Sequence, residues 1–419
     1  YKKKKIVVSK NKSFTNQQLI PEPHTSWIGV SVGLLAGAIA AFHQFKIPPA
    51  MPLMLERYSY DLTIAGGFMS IYAAIGLTVS ALLGKKLNKY GIRNYALVAC
   101  GVLILGSLIT IFFPELSSIV LLARAFEGLG FSILAIIGPI IAIQSASIRQ
   151  QPIAVAIFAS WIPVGQLIAL GISQPAIDTG YWELLWWVGI FFTSLITLAI
   201  WLRVKPDRIN HSLTKQSLIK KNNSPHTRFA MIIAAGIFTL WSAQYLAMST
   251  WLPHYLVEEL GFAPKDVLLP YAIPTALIII FNFICGLLLR RGFPIFVLLP
   301  AAILVQSILW LLFDTISNSG FGIVALVIYG VAAGFTPTCL FLMPSIILGQ
   351  KGNSGSAFGV IMTGRHLGVL AGPILLPQLL LVNEDWSMAT LAFGLITLSA
   401  SVIAIGLGLY IFNFQKNKT

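Results

Sequence analysis

The sequence contains little charge: only 10% of its 419 residues are Asp, Glu, Lys or Arg, whereas soluble domains usually carry about 25%. Its three cysteines lie in separate apolar segments without a CxxC or other metal-ligand spacing, which favours small buried side chains over a metal site. The sequence has no His/Asp/Ser set and no Gly-rich phosphate loop, so we expect neither an enzyme nor a bound cofactor. It shows no short alternating strands, which argues against a barrel. No apolar segment with a cleavage site follows the polar first 25 residues, so we expect no removable signal peptide.

Long apolar runs dominate the chain instead. Hydrophobic residues make up 57% of the sequence, and the mean hydropathy is +0.83. A membrane-spanning helix needs about 20 apolar residues, and a helix satisfies its own backbone hydrogen bonds in lipid. We therefore predict an all-α membrane protein with twelve transmembrane helices, at roughly 27–54, 62–83, 95–113, 117–145, 152–174, 183–203, 229–255, 266–289, 294–313, 320–347, 355–380 and 388–413.

Charged residues outside these spans separate by sign. Lys and Arg concentrate at both ends of the chain and in alternate loops that include 84–93 and 204–228, whereas Asp and Glu concentrate in the other loops. By the positive-inside rule, we predict that both termini are cytoplasmic. The net charge of +14 then reflects membrane orientation, and we expect no nucleic-acid binding. A bacterial cytoplasmic (inner) membrane is the predicted location.

A weak internal repeat divides the chain into halves. The polar segment 204–228 separates six predicted spans from six, and aligning the halves places His43 on Gln244. Six helices per half give both halves the same orientation, a plan known in transporters whose substrate site lies between the halves. We predict a cytoplasmic tail at 1–26, a six-helix bundle at 27–203, a cytoplasmic linker at 204–228, a second six-helix bundle at 229–413 and a cytoplasmic tail at 414–419.

The loop between the second and third predicted spans carries a motif rich in glycine and bases. It reads Gly84-Lys85-Lys86-Leu87-Asn88-Lys89-Tyr90-Gly91-Ile92-Arg93. Over residues 27–413 the chain resembles the major facilitator superfamily, and this loop looks like that family's signature loop, with Asn88 where an aspartate is usual. Its glycines allow close helix approach and a tight turn. The resemblance implies a major facilitator fold, transport by alternating access, and gating roles for Gly84, Asn88, Gly91 and Arg93.

Three other patterns refine the resemblance. The fourth span carries Arg124 with Gly128 and Gly130, which is similar to the family's second motif. The fifth span lacks the Gly-Pro pair that is typical of the family's antiporters, which favours uptake over export. The run Lys46-Ile47-Pro48-Pro49 is similar to the first-helix pattern of the cyanate and nitroimidazole transporter branch, with Lys in place of Arg.

Four charged residues are predicted to lie inside the spans: Lys46, Arg124, Glu127 and Arg365. A charge at a helix centre costs about 3 kcal/mol or more, so each is a candidate functional residue. Lys46 could bind an anion in a central cavity or extend to the outer interface. Arg365 could bind an oxyanion through two parallel hydrogen bonds or pair with structural polar groups. Arg124 and Glu127, three residues apart on one helix, could form a structural ion pair or support proton-linked gating.

From these residues we predict a secondary transporter that takes up a small anionic solute. Lys46 and Arg365, one in each half, have no acidic partner in this interpretation, and the anion would supply one. The remaining candidate ligands of the substrate are His43, Gln44, Gln244, Tyr245, Trp161 and His366. The polar members of this group could instead form hydrogen bonds between helices.

The sequence is compatible with more than one coupling residue and more than one direction of transport. Coupling to protons would use Glu127 or a histidine. The alternative function is a proton-driven exporter of drugs, metabolites or siderophores, in which Glu127 would be the acid of the cavity. The expected partners are the anionic substrate, the lipid bilayer and protons, and we expect a monomer.

Overall fold

The computed structural model describes residues 24–58, 60, 67–79, 91–204, 225–258, 260–262, 268–317, 321–349, 355–383 and 386–416. Within these ranges every regular element is helical. Ten of the described helices are long and apolar enough to cross a membrane, and two shorter apolar helices, at 67–79 and 295–311, complete twelve spans. The predicted all-α membrane fold is confirmed, and large hydrophobic side chains on the outer helix faces are exposed, as a lipid-facing surface requires.

The first half contains six spans built from eight helices. They are α1 (Trp27–Phe45), α2 (Ile47–Tyr58), α3 (Gly67–Val79), α4 (Ile92–Phe112), α5 (Ser117–Gln144), α6 (Gln151–Ala159), α7 (Trp161–Thr179) and α8 (Glu183–Arg203). The first span, predicted as one helix, is divided at Lys46 into α1 and α2. The fifth span is divided at Ser160 into α6 and α7.

The second half contains six spans and one short helix. They are α9 (Pro225–Glu258), α10 (Leu268–Arg290), α11 (Ile295–Leu311), the short α12 (Phe313–Ser317), α13 (Gly322–Leu348), α14 (Gly355–Asn383) and α15 (Trp386–Lys416). These bounds agree with the predicted spans to within a few residues.

A row of glycines brings α14 against α9. At Gly364, Gly368 and Gly372 an added Cβ would lie 2.2, 2.2 and 2.0 Å from backbone oxygens of Ala235, Thr239 and Ala243. The four-residue spacing places all three glycines on one face of α14. Small residues are favoured at such contacts because helices in lipid associate through close packing rather than through the hydrophobic effect.

The two halves touch at several places. A Cβ on Gly286 of α10 would lie 2.4 Å from the Cβ of Ala156 in α6. The side chain of Gln166 in α7 donates to the hydroxyl of Tyr271 in α10. A Cβ on Gly76 of α3 would lie 2.4 Å from the ring of His366 in α14. The two halves are therefore in direct contact at these points.

Replacing Gly368 by Val should destabilise the protein, because the new side chain would meet the backbone of α9. Overpacking of this kind typically costs about 1–3 kcal/mol. The matched control is Gly236→Val on α9, where no other atom lies within 4 Å of an added Cβ. Thermal unfolding in detergent should show a lower Tm for Gly368→Val only, and equal Tm values would contradict the α9–α14 packing.

Candidate functional site

Two prolines in the first span leave backbone oxygens near Arg124 without their helical hydrogen-bond donors. Pro48 and Pro49 have no N–H, so they cannot donate to the carbonyls of Gln44 and Phe45 four residues earlier. The span breaks at Lys46, and α2 begins at Ile47. Backbone oxygens near the break therefore need other hydrogen-bond donors, because buried carbonyl groups are nearly always hydrogen-bonded.

Arg124 of α5 donates to one of these two oxygens, that of Gln44, and to other backbone oxygens nearby. Its guanidinium donates to the backbone oxygens of His43 at 2.7 Å, Gln44 at 3.2 Å and Phe68 at 3.2 Å. Its Cζ lies 4.3 Å from the ring centre of Tyr72 in α3. The side chain is fully buried, so Arg124 joins the broken first span to α3 and α5.

Glu127, one turn along α5, is the acceptor at the centre of this cluster. Its carboxylate accepts from Arg124, with which it forms an ion pair, and from Lys46 Nζ at 2.7 Å. It also accepts from Ser107 Oγ at 2.7 Å and from the Tyr72 hydroxyl at 3.0 Å. The predicted Arg124–Glu127 pair is present, but the carboxylate is shared with a second base.

That second base is Lys46, and its position corrects an expectation. Lys46 is fully buried and forms an ion pair with Glu127. The expectation from sequence that Lys46 has no acidic partner is therefore wrong. Its Nζ also donates to His43 Nδ1 at 2.9 Å and Ser107 Oγ at 3.0 Å, and lies 4.6 Å from the ring centre of Trp186. The alternative of an ammonium at the outer interface is likewise not observed.

His43 is held from its other side. Its Nε2 lies 2.8 Å from Thr193 Oγ1, and the Thr193 hydroxyl donates to the Gly189 oxygen at 2.6 Å. Because the Thr193 proton is used in that bond, we assign Nε2 as the donor and Nδ1 as the acceptor of a bond from Lys46. Sequence reasoning missed Tyr72, Ser107 and Thr193, since a lone hydroxyl in an apolar run gives no signal.

A neutral network of hydrogen bonds surrounds Gln244 in the second half. Gln244, which the repeat aligns with His43, accepts from Trp310 Nε1 at 2.7 Å and Tyr329 OH at 2.8 Å, and donates to Gln306 at 2.9 Å. Trp241 Nε1 donates to the same Gln306 oxygen at 3.0 Å. Gln244 is fully buried, so this predicted substrate ligand is engaged within its own half.

Three of the predicted ligands meet at a cavity between the halves. The cavity has a volume of about 20 Å³, room for about one water. Its lining includes Trp161 of α7, Tyr245 of α9 and Arg365 of α14, together with Trp241 and with Ser242, the last of which sequence reasoning did not propose as a ligand. The rings of Trp241 and Tyr245 stack with centres 5.2 Å apart.

Arg365 is the cation of this cavity. It is 4% exposed, and its Cζ lies 5.3 Å from the ring centre of Trp161 and 5.6 Å from that of Phe131. Its Nη1 has no hydrogen-bond partner, and neither has the buried Oγ of Ser242. In the described part of the chain, no carboxylate forms an ion pair with Arg365.

The remaining predicted ligands lie at the margins of the two sites. His366 contacts the first half through Phe131, with ring centres 6.0 Å apart, and its Nε2 has no partner. Gln44 is 4% exposed, and its Oε1 has no partner. Neither side chain lines the cavity.

Of the predicted gating loop, Gly84 and Asn88 lie outside the described residues. Gly91 precedes α4 with a φ of 84°, a backbone conformation that favours glycine. The Cζ of Arg93 lies 5.7 Å from the ring centre of Trp201.

Twelve spans in two halves, with a small and largely apolar cavity between them that contains one arginine, are the architecture of a multi-pass membrane transporter. Residues 33–373 match the family model of the Major Facilitator Superfamily, and the chain belongs to that family. No curated protein sequence matches it.

Solved structures share the fold. The proton:xylose symporter XylE has a TM-score of 0.73 at 14% identity, over 93% of this chain and 95% of that one. The transporter FucP in its outward conformation has a TM-score of 0.69 at 17% identity, over 90% of this chain and 98% of that one. A second FucP structure, described as the E. coli fucose:proton symporter, is also similar. The human organic anion transporter MFSD10 has a TM-score of 0.73 at 13% identity, over 90% and 99%. At these identities the likeness is one of fold.

Replacing Glu127 by Gln should destabilise the protein strongly, because Lys46 and Arg124 would remain buried without a counter-ion. Removing one partner of a buried ion pair costs about 3–5 kcal/mol. The control is Glu183→Gln, which breaks a pair with Arg57, whose side chain is 58% exposed, and should cost at most about 1 kcal/mol. Equal losses in thermal unfolding would show that Glu127 does not hold the cluster together.

Proposed function

We propose that this chain is a secondary transporter of a small monovalent organic anion, which it takes up by alternating access. One observation carries the proposal: the Arg365 guanidinium is buried at the cavity between the halves and keeps an unpartnered nitrogen. A buried charge without a counter-charge is costly, and an anionic substrate would compensate it.

The chemistry of the cavity favours a carboxylate. The planar guanidinium matches the two oxygens of a carboxylate. Ser242 lines the same cavity with a buried hydroxyl that has no partner, so it can donate a further hydrogen bond. The aromatic rings of Trp161, Trp241 and Tyr245 would contact an apolar substrate body.

The charge of the substrate follows from the charges around it. Lys46 was expected to join Arg365 in binding the anion, but it is committed to Glu127 at 2.7 Å. One uncompensated cation at the cavity favours a single negative charge, and a second carboxylate would be buried without a partner. Monocarboxylates are therefore preferred over dicarboxylates.

Alternating access explains how a cavity of about 20 Å³ can admit a solute. The contacts between the halves, such as Gly286 with Ala156 toward the cytoplasmic side and Gln166 with Tyr271 toward the outer side, would have to open on one side at a time. Rocking of halves around a central site is a common mechanism of such folds.

In this proposal the protein works as a monomer in the bacterial inner membrane. Both termini are cytoplasmic, an orientation that the distribution of Lys and Arg supports.

The exporter alternative gains no support from the site. An exporter of cations would use an acid at the cavity, and Glu127, the candidate for that role, is instead fully buried against Lys46 and Arg124. Proton coupling remains part of the proposal. Two of the structurally similar proteins are named as proton symporters.

Replacing Arg365 by Gln should reduce anion uptake about 10-fold to 100-fold, because a hydrogen bond to a charged group contributes about 1.5–3 kcal/mol. Proteoliposomes would be assayed with labelled benzoate, butyrate and succinate, and the first two should be preferred. Arg365→Lys should retain part of the activity. Arg57→Gln, which removes an exposed base, should leave uptake unchanged. Uptake by Arg365→Gln at the parent rate, or a preference for succinate, would contradict the proposed function.

A further inference from the structure

The buried cluster around Glu127 contains more positive than negative charge. Lys46, Arg124 and Glu127 are all fully buried, and two bases share the one carboxylate. With His43 neutral, the cluster has a net charge of +1 when Lys46 is protonated. Burying an excess charge is unfavourable, so a group that can release a proton would relieve it.

Lys46 is the group suited to release that proton. Arg124 cannot deprotonate under ordinary conditions, whereas a buried lysine can. Protonating Glu127 would increase the excess positive charge, and it would remove an acceptor that serves four donors. Because Arg124 keeps its proton, loss of the Lys46 proton is the step that makes the cluster neutral.

The hydrogen bonds fit the protonated form of Lys46. An ammonium has three donor hydrogens, and Nζ has three acceptors within reach: His43 Nδ1 at 2.9 Å, Ser107 Oγ at 3.0 Å and Glu127 Oε1 at 2.7 Å. The Ser107 hydroxyl then donates to Glu127 at 2.7 Å.

The same atoms also fit the neutral form. A neutral amine keeps two hydrogens, for His43 and Glu127, and gains a lone pair. Ser107 can rotate its hydroxyl hydrogen from Glu127 to that lone pair, since Oγ lies within 3.0 Å of both partners. His43 need not change, because Thr193 fixes its tautomer. The cluster can therefore hold or release one proton without moving a heavy atom.

We propose that Lys46 carries the coupled proton and that Ser107 is the positioning residue that accommodates both of its protonation states. The titratable or charged groups that face Lys46 are His43 of α1, Tyr72 of α3, and Arg124 and Glu127 of α5. Helices α4 and α8 present Ser107, Trp186 and Thr193 to the cluster, none of which titrates in the ordinary range.

This inference rests on the proposed function and deepens it to an electroneutral symport. The proton passes from outside water to Nζ and from Nζ to inside water, and no covalent bond to carbon changes. One face of α5 joins the two sites: Phe131, one turn after Glu127, packs its ring centre 5.5 Å from that of Tyr72 and 5.6 Å from Arg365 Cζ. A monovalent anion and one proton then cross together with no net charge.

A test that does not depend on transport uses the fluorescence of Trp186, whose ring centre lies 4.6 Å from Nζ. The pH titration of the parent protein in detergent, minus that of Trp186→Phe, should show one transition. Lys46→Arg, which keeps the charge but not the releasable proton, should abolish it. Ser107→Ala should move the midpoint to lower pH, because the cluster loses two hydrogen bonds of Ser107 when Lys46 is charged and only one when it is neutral. A transition that survives in Lys46→Arg and disappears in His43→Gln would overturn the proposal.

The transport test uses proteoliposomes and whichever anion of the benzoate, butyrate and succinate panel the parent accumulates. In Lys46→Arg and Lys46→Gln, accumulation driven by a pH gradient should fall at least about 10-fold, while anion-for-anion exchange persists. Arg57→Gln should behave like the parent. Full gradient-driven accumulation by both Lys46 variants would reject Lys46 as the proton site. Absence of both activities in the parent would instead refute the proposed function, and the fluorescence result would still decide the proton site.

Discussion

The shared carboxylate of Glu127 is the interaction on which the first half of the molecule depends. It receives hydrogen bonds from α3, α4, α5 and the junction between α1 and α2. That junction exists because Pro48 and Pro49 cannot continue the helix hydrogen bonds. Arg124 then satisfies backbone oxygens beside the break. The break in one helix thus lies where four elements are joined by hydrogen bonds. The buried charges of this cluster are tolerated because each forms an ion pair and hydrogen bonds.

The two halves fix equivalent residues of the repeat with different kinds of side chain. His43 and Gln244 occupy corresponding places in the repeat, and each is fixed by side chains of neighbouring helices. The first half uses ions, whereas the second uses amide, indole and hydroxyl groups that stay neutral. The second half contributes its own buried cation, Arg365, at the cavity. As we propose, this division allows the first half to respond to protons while the second half supplies the cation that binds the solute between them.

Sequence reasoning succeeded where the signal is local. The long apolar runs predicted the helices of the described chain closely, because span length follows from bilayer thickness. It also selected Arg365, Trp161 and Tyr245, which meet at the cavity. It erred on Lys46, which was treated as unpaired. It missed Ser107 and Ser242, because a serine in an apolar helix looks the same whether it bonds its own helix or completes a site.

The sequence by itself determined that this protein is a twelve-span membrane protein of the Major Facilitator Superfamily, since hydropathy and family motifs are properties of the chain alone. Only the tertiary structure decided which charged residues form ion pairs. Lys46 and Glu127 lie 81 residues apart in sequence, and their pairing depends on which helices become neighbours and on how each helix is rotated. The same geometry leaves Arg365 without a carboxylate among the described residues, which is why the substrate is the partner we propose for it.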